Sequence, residues 1–138
     1  MECAVITTYR CNARCKMCEI WKNPTKPEEE FNPELLEKLP IGLDRINITG
    51  GEPSIRKDLV DIVSILRRKA KKVDISTNGY FSDRLIAIGK TFPDVAFRIS
   101  AEGLPKLNDE LRGLKNGFDH SLKTVIGLRN AGVNDVGF

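Results

Sequence analysis

Short apolar runs that alternate with helical periodicities constrain this chain more than any other property it has. "CAVITTY", "DRINIT", "KVDIST" and "VAFRIS" have strand length and composition, and "VNDVGF" begins a fifth such run at the chain's end. Helix signals fill the segments between them. In "FNPELLEKLP", Asn32 is placed to cap, Pro33 occupies the first helical position, Glu34 lies in the first turn, and Leu35, Leu36 and Leu39 share a face. In "RKDLVDIVSILRRKA", Leu59, Ile62, Val63 and Leu66 recur at amphipathic spacing. "SDRLIAIGKTF" opens on Ser82 as a cap and aligns Leu85, Ile88 and Phe92. "FDHSLKTVIGLRNAG" aligns Phe118, Leu122, Val125 and Ile126 and stops at Gly132, while "AEGLPKLNDELRGLKNG" reads as a polar connection.

Strands joined by helical crossovers run parallel, because a hairpin turn is too short to return the chain to the same end of a sheet. The expected fold is therefore α/β, a partial (β/α) TIM-like barrel of parallel strands with outer helices, truncated after about the start of the fifth strand. Residues 1–138 form one incomplete core domain. Side chains alternate along a strand, so Ile46, Ile48, Val73, Ile75, Val95, Phe97 and Ile99 face the helices. The opposite face carries Asn47, Thr49, Asp74, Ser76, Asn78, Arg98, Ser100 and Glu102. An ordinary closed barrel fills its interior with branched apolar side chains, so this polar face points to a wet or ligand-filled cavity. A solvated face of an antiparallel sheet has the same alternation, and the crossovers favour the cavity. Asp74 and Arg98 are expected at matching depth, as an ion pair between the third and fourth strands.

The loop leaving the first strand reads "CNARCKMC". Three thiols at C-x3-C-x2-C spacing suit zinc or an iron–sulfur cluster. Closed zinc sites want a fourth ligand, and the candidates are Cys3 and His120. Cys3 stands across a whole strand from Cys11, some ~20 Å at strand rise, and His120 has no ligand spacing. Three ligands with an open position describe a centre that receives a further molecule.

Four ordered motifs resemble the radical S-adenosylmethionine enzymes: "CNARCKMC" after the first strand, "GGEP" after the second, "STNG" after the third and "RISAEG" in the fourth. The resemblance spans nearly the whole chain. It implies that Cys11, Cys15 and Cys18 ligate three irons of a 4Fe-4S cluster, leaving the fourth iron for S-adenosylmethionine. It also implies reductive cleavage to a 5′-deoxyadenosyl radical that abstracts hydrogen from a substrate. Gly50, Gly51 and Glu52 are the implied contacts of the methionine amine, and Ser76, Asn78 and Ser100 those of the ribose and methionine polar groups. An electron donor such as ferredoxin or flavodoxin is the implied partner. Met17 stands where relatives often place an aromatic residue near the adenine. "AEGLPKLNDELRG", with Glu102 where relatives often have Asp, is similar in layout to the branch that carries a C-terminal SPASM-type auxiliary-cluster domain and often acts on peptides.

Other readings compete with it. A noncatalytic zinc-binding or scaffold module would keep the same motifs, the same radical chemistry could act on a small molecule, and the run "RRKAKK" raises a radical enzyme acting on tRNA. The same cations complement a helix C-terminus, and 22 basic against 19 acidic residues give only +3, so a nucleic-acid partner is not expected. No apolar run has membrane-spanning length, and the expected location is cytoplasmic.

Overall fold

The apolar runs fold as five parallel strands: β1 (Glu2–Ile6), β2 (Leu43–Thr49), β3 (Ala70–Thr77), β4 (Ala96–Ile99) and β5 (Val136–Gly137), in the spatial order of the sequence. A computed structural model describes residues 1–138. Helices α1 (Leu59–Arg67), α2 (Ser82–Thr91), α3 (Pro105–Arg112) and α4 (Gly117–Asn130) complete the α/β fold.

Every strand face expected to pack does so. Ile46, Ile48, Val73, Ile75, Val95, Phe97 and Ile99 join Leu59, Ile62, Val63, Leu66, Leu85, Ile88 and Leu128 in one buried cluster. Each such side chain contributes ~1.5–3 kcal/mol by leaving water. The other sheet face is polar and ion-paired, but in a different pattern from the one expected. Asp74 stands beside Ala96, and Ser76 beside Arg98, so Arg98 lies one inward-facing position further up its strand. Asp74 instead takes a two-pronged bond from Arg45 of β2, at 2.5 and 3.1 Å, and Arg98 pairs with Asp135 at 2.7 Å just before β5.

Several helical expectations change. "PELLEK" is a 3-10 helix, Pro33–Lys38, whose Asn32 cap accepts from the Glu34 N–H at 3.0 Å. Pro40 holds the preceding Leu39 extended, and the tighter winding brings Leu36 and Leu39 into line while Leu35 turns outward. Ser82 is the first helical residue of α2 rather than its cap; its hydroxyl donates to the His120 carbonyl and accepts from Thr124. The polar connection contains α3, started by Pro105 and ended by Gly113 at φ 57°.

α4 turns a different face inward. Gly117, Ser121, Thr124 and Leu128 are buried, Val125 packs at the margin of the core, and Leu122 and Ile126 stay exposed. Small residues prevail because α2 comes very close. A methyl group at Gly89 would sit 2.5 Å from Leu128, and one at Gly127 would strike Ile86. Gly132, at φ 89°, ends the helix region as expected.

Candidate active site

The site forms at the C-terminal ends of the strands, where the β1 loop folds back over the sheet. The backbone ladder continues past the strands: Thr7 N–H donates to Thr49, Gly51 N–H to Thr8 and Glu52 N–H to Arg10, at 2.7–2.9 Å. Only glycines admit this approach. A Cβ on Gly50, whose φ is 151°, would lie 2.5 Å from the Thr8 carbonyl oxygen, and one on Gly51 would collide with that of Arg10.

A buried clamp holds the start of the cysteine loop. Arg10 grips Glu30 with Nε and Nη2, both at 2.8 Å, while the Thr8 and Thr25 hydroxyls donate to the same carboxylate. Burial alone raises the Glu30 pKa, but these donors outweigh it and hold the carboxyl below its usual range. Arg56 closes the clamp from below, donating to the Thr7 and Phe31 carbonyls and to Asp58.

The end of the loop is held by α3. Arg14 N–H donates to the Arg112 carbonyl at 3.0 Å, and Lys16 N–H to that of Leu111 at 2.8 Å. From the strand side, Asn78 Nδ2 donates to Asn12 Oδ1 at 2.8 Å. Trp21 Nε1 donates to the Cys15 carbonyl at 3.3 Å.

Held in this way, Cys11, Cys15 and Cys18 line one cavity of about 190 Å³ together with Gly50, Gly51, Ser76, Asn78 and Ser100. Met17 and Trp21 line it as well, as do Glu102 and Arg112. Burial pushes the Cys11 and Cys15 thiols up, with Arg112 opposing the shift at Cys15. His120 is elsewhere, stacked on Tyr80 at 4.1 Å.

Glu52 sits behind the wall rather than in it. Its fully buried carboxylate accepts from Ser54 N–H at 3.0 Å, the Ser54 hydroxyl at 2.5 Å, the Thr77 hydroxyl at 2.6 Å and the Asn78 N–H at 2.7 Å. A carboxylate so engaged is a rivet between the glycine turn and the end of β3. Arg112 is the residue that sequence reasoning passed over. Its Nη1 donates to Glu102 at 2.9 Å, and its buried Nε has no partner. Its signal was the stop "LRG" in a segment read as loop.

Cys11, Cys15 and Cys18 face one cavity, a soft donor set that suits zinc or an iron–sulfur cluster. Arg112, which lines this space, has a buried Nε donor without a partner that suits an anionic guest.

A parallel α/β sheet thus carries three thiols and a glycine shelf at its strand ends, the donor set of a zinc or iron–sulfur site. The sequence profile of the Radical SAM superfamily matches residues 5–138. The chain belongs to that superfamily, an enzyme family whose cofactors are a 4Fe-4S cluster and S-adenosylmethionine.

Fe-coproporphyrin III synthase of Methanosarcina barkeri is 33% identical over 134 residues, covering 91% of this chain and 33% of the relative. The sporulation killing factor maturation protein SkfB of Bacillus subtilis is 28% identical over 138 residues, covering 96% of this chain and 34% of the relative. The fold is similar to that of Streptococcus suis SuiB bound to S-adenosylmethionine, with a TM-score of 0.78 at 19% identity over 95% of this chain and 32% of that one. The chain thus spans about a third of the length of these relatives. No helix is long and apolar enough to cross a membrane.

Proposed function

We propose that this chain supplies the part of a radical enzyme that holds the cluster and S-adenosylmethionine, with residues 1–138 as part of its core domain. The observation that carries this reading is the convergence of Cys11, Cys15 and Cys18 with the Gly50–Gly51 shelf and the ends of β3 and β4 on one cavity. When bound, the two cofactors supply reductive cleavage to methionine and a 5′-deoxyadenosyl radical. The chain's task is to bind, orient and exclude water.

The three thiolates hold the cluster. The shelf at Gly50 and Gly51 leaves room for backbone contact with the methionine amine, and Glu52 holds that shelf in place. Ser76, Asn78 and Ser100 offer polar contacts along the strand ends, with Ser100 the ribose contact. Asn78 has a second duty, because its amide also ties down Asn12. Arg112 joins this set as the cation facing the carboxylate, supported by its unpartnered Nε.

The electron comes from a ferredoxin or flavodoxin, and the reducing cytoplasm suits both the thiols and the cluster. For the substrate we favour a peptide, on the layout of "AEGLPKLNDELRG" around α3. One relative is a coproporphyrin synthase and another a maturation protein, so the relatives divide on this point.

Anaerobic reconstitution with iron and sulfide tests the core of the proposal. The expected result is a thiolate-to-iron absorption band, an EPR signal on reduction, and 5′-deoxyadenosine from S-adenosylmethionine. Cys15→Ala should abolish all three. A single tightly bound zinc, with no EPR signal, would establish the zinc-module reading instead.

A further inference from the structure

Apart from the cysteines themselves, only two of the side chains that line the thiol cavity are ionisable, Glu102 and Arg112. Both come from the segment after β4, and α3 fixes them there. Glu102 N–H donates to Asn108 Oδ1 at 2.9 Å, and Asn108 is buried on α3. One turn further along, Arg112 offers its carbonyl to Arg14 N–H at 3.0 Å and donates from Nη1 to Glu102 at 2.9 Å. The pair is thus pinned against the cysteine loop. Other charges nearby are spent or solvated: Arg10 is paired with Glu30, Glu52 is locked in its hydrogen bonds behind the wall, and Arg14, Lys16 and Glu19 are exposed.

The pair sums to zero charge, yet its members weigh unequally on the cavity. The Arg112 side chain is 13% exposed and that of Glu102 38%. Water screens the carboxylate, whereas the guanidinium acts through protein, where the same charge at the same distance counts several times more. Arg112 Nε is in addition a buried donor without a partner. Cys15 feels the difference: burial does most to raise its thiol, Arg112 is the next influence and lowers it, and the opposing Glu102 is the weakest.

Uptake of one electron adds a negative charge to a cluster that three thiolates already make negative. Cluster potentials respond to local charge, to hydrogen bonds at the sulfurs and to solvent exposure. We infer that Arg112 sets the reduction potential of the bound cluster, holding it high through a buried cation beside Cys15, and that Glu102 is the positioning residue that keeps the guanidinium there and tempers it. This rests on the proposed function. In the step one electron enters the cluster, no bond forms or breaks and no proton moves; dithionite supplies the electron in the test.

That test is a potentiometric titration of the reconstituted holoenzyme without S-adenosylmethionine, followed by the EPR signal of the reduced cluster. Iron and sulfide analysis checks that each variant carries its cluster. Arg112→Gln should make reduction about tenfold less favourable or worse, a fall of ~59 mV for one electron. Arg112→Lys, which keeps the charge, should recover most of that loss. Glu102→Gln, whose amide oxygen still accepts from Arg112, should shift the potential upward. Lys16→Gln removes an exposed charge next to Cys15 and should shift it less than Arg112→Gln does. An unchanged potential in Arg112→Gln, a fall in Glu102→Gln or a larger fall in Lys16→Gln overturns the inference. Should Arg112→Gln hold no cluster, a rise in Glu102→Gln with little change in Arg112→Lys supports it, and any other pattern overturns it. A parent protein that takes up zinc and no cluster defeats the proposed function and this inference with it. One that holds a cluster but releases no 5′-deoxyadenosine defeats the proposed function alone, and the potentials still decide the role of Arg112.

Discussion

Two carboxylates show how much of this site is support. Glu52 receives four hydrogen bonds in a place without water. In Glu52→Gln an amide must face one of those donors. Stability should fall by ~1–3 kcal/mol in urea titrations, and affinity for S-adenosylmethionine should fall with it, because the glycine shelf loosens.

Glu30 is ionised through donors that exist only in the fold, so its carboxyl is held low. Its contribution is complete above the unfolded value of ~4.3 and disappears as pH falls through the lower folded value. Glu30→Gln should lower the urea midpoint at pH 7 and make its decline between pH 5 and pH 3 shallower than in the parent protein. Neither carboxylate's partners were legible in sequence, since Glu30 meets Arg10 across twenty residues and Glu52 meets Thr77 across twenty-five. The cysteines and glycines were legible, because their chemistry needs those residue types at fixed local spacing.

At the level of elements, the strands could be read and the helices only partly. A strand's alternation survives errors in register; that is why Asp74 and Arg98 were placed on the correct face yet given each other as partners. Helix faces depend on what approaches them. In α4 the apolar stripe lost to Gly117, Ser121 and Thr124 because the end of α3, the turn after β3 and the start of α2 press against that face, information held in other parts of the chain. α3 escaped notice because its buried residue is Asn108, which takes the Glu102 N–H, and not a leucine.

That helix nonetheless matters to the site. A Cβ on Gly113 would lie 2.6 Å from the Arg14 carbonyl oxygen, in a left-handed conformation that suits glycine. Gly113→Ala should cost more than ~1 kcal/mol and displace the cysteine loop. Iron analysis after reconstitution should show less bound cluster, while helix content by circular dichroism stays near that of the parent.

On the scale of the whole molecule, the cavity exists only when the β1 loop, the β2 turn, the ends of β3 and β4 and α3 are all in place. A ligand that binds this assembled state alone stabilises the fold. S-adenosylmethionine at a hundred times its dissociation constant should add ~2.7 kcal/mol, raising the thermal midpoint of the cluster-loaded protein by several degrees. Chelation of the cluster should remove that increment. An unchanged midpoint would mean that the cavity does not take the cofactor.

The bonds from Arg14 to Arg112 and from Lys16 to Leu111 also have a meaning in time. The helix that fixes the cysteine loop leaves the ribosome about a hundred residues after the cysteines themselves, some ~5–20 s later at ordinary rates of synthesis. Through that interval the nascent thiols are unheld. Iron–sulfur assembly machinery that acted on the emerging chain would meet a floppy segment, so cluster delivery belongs after α3 has been synthesised and docked.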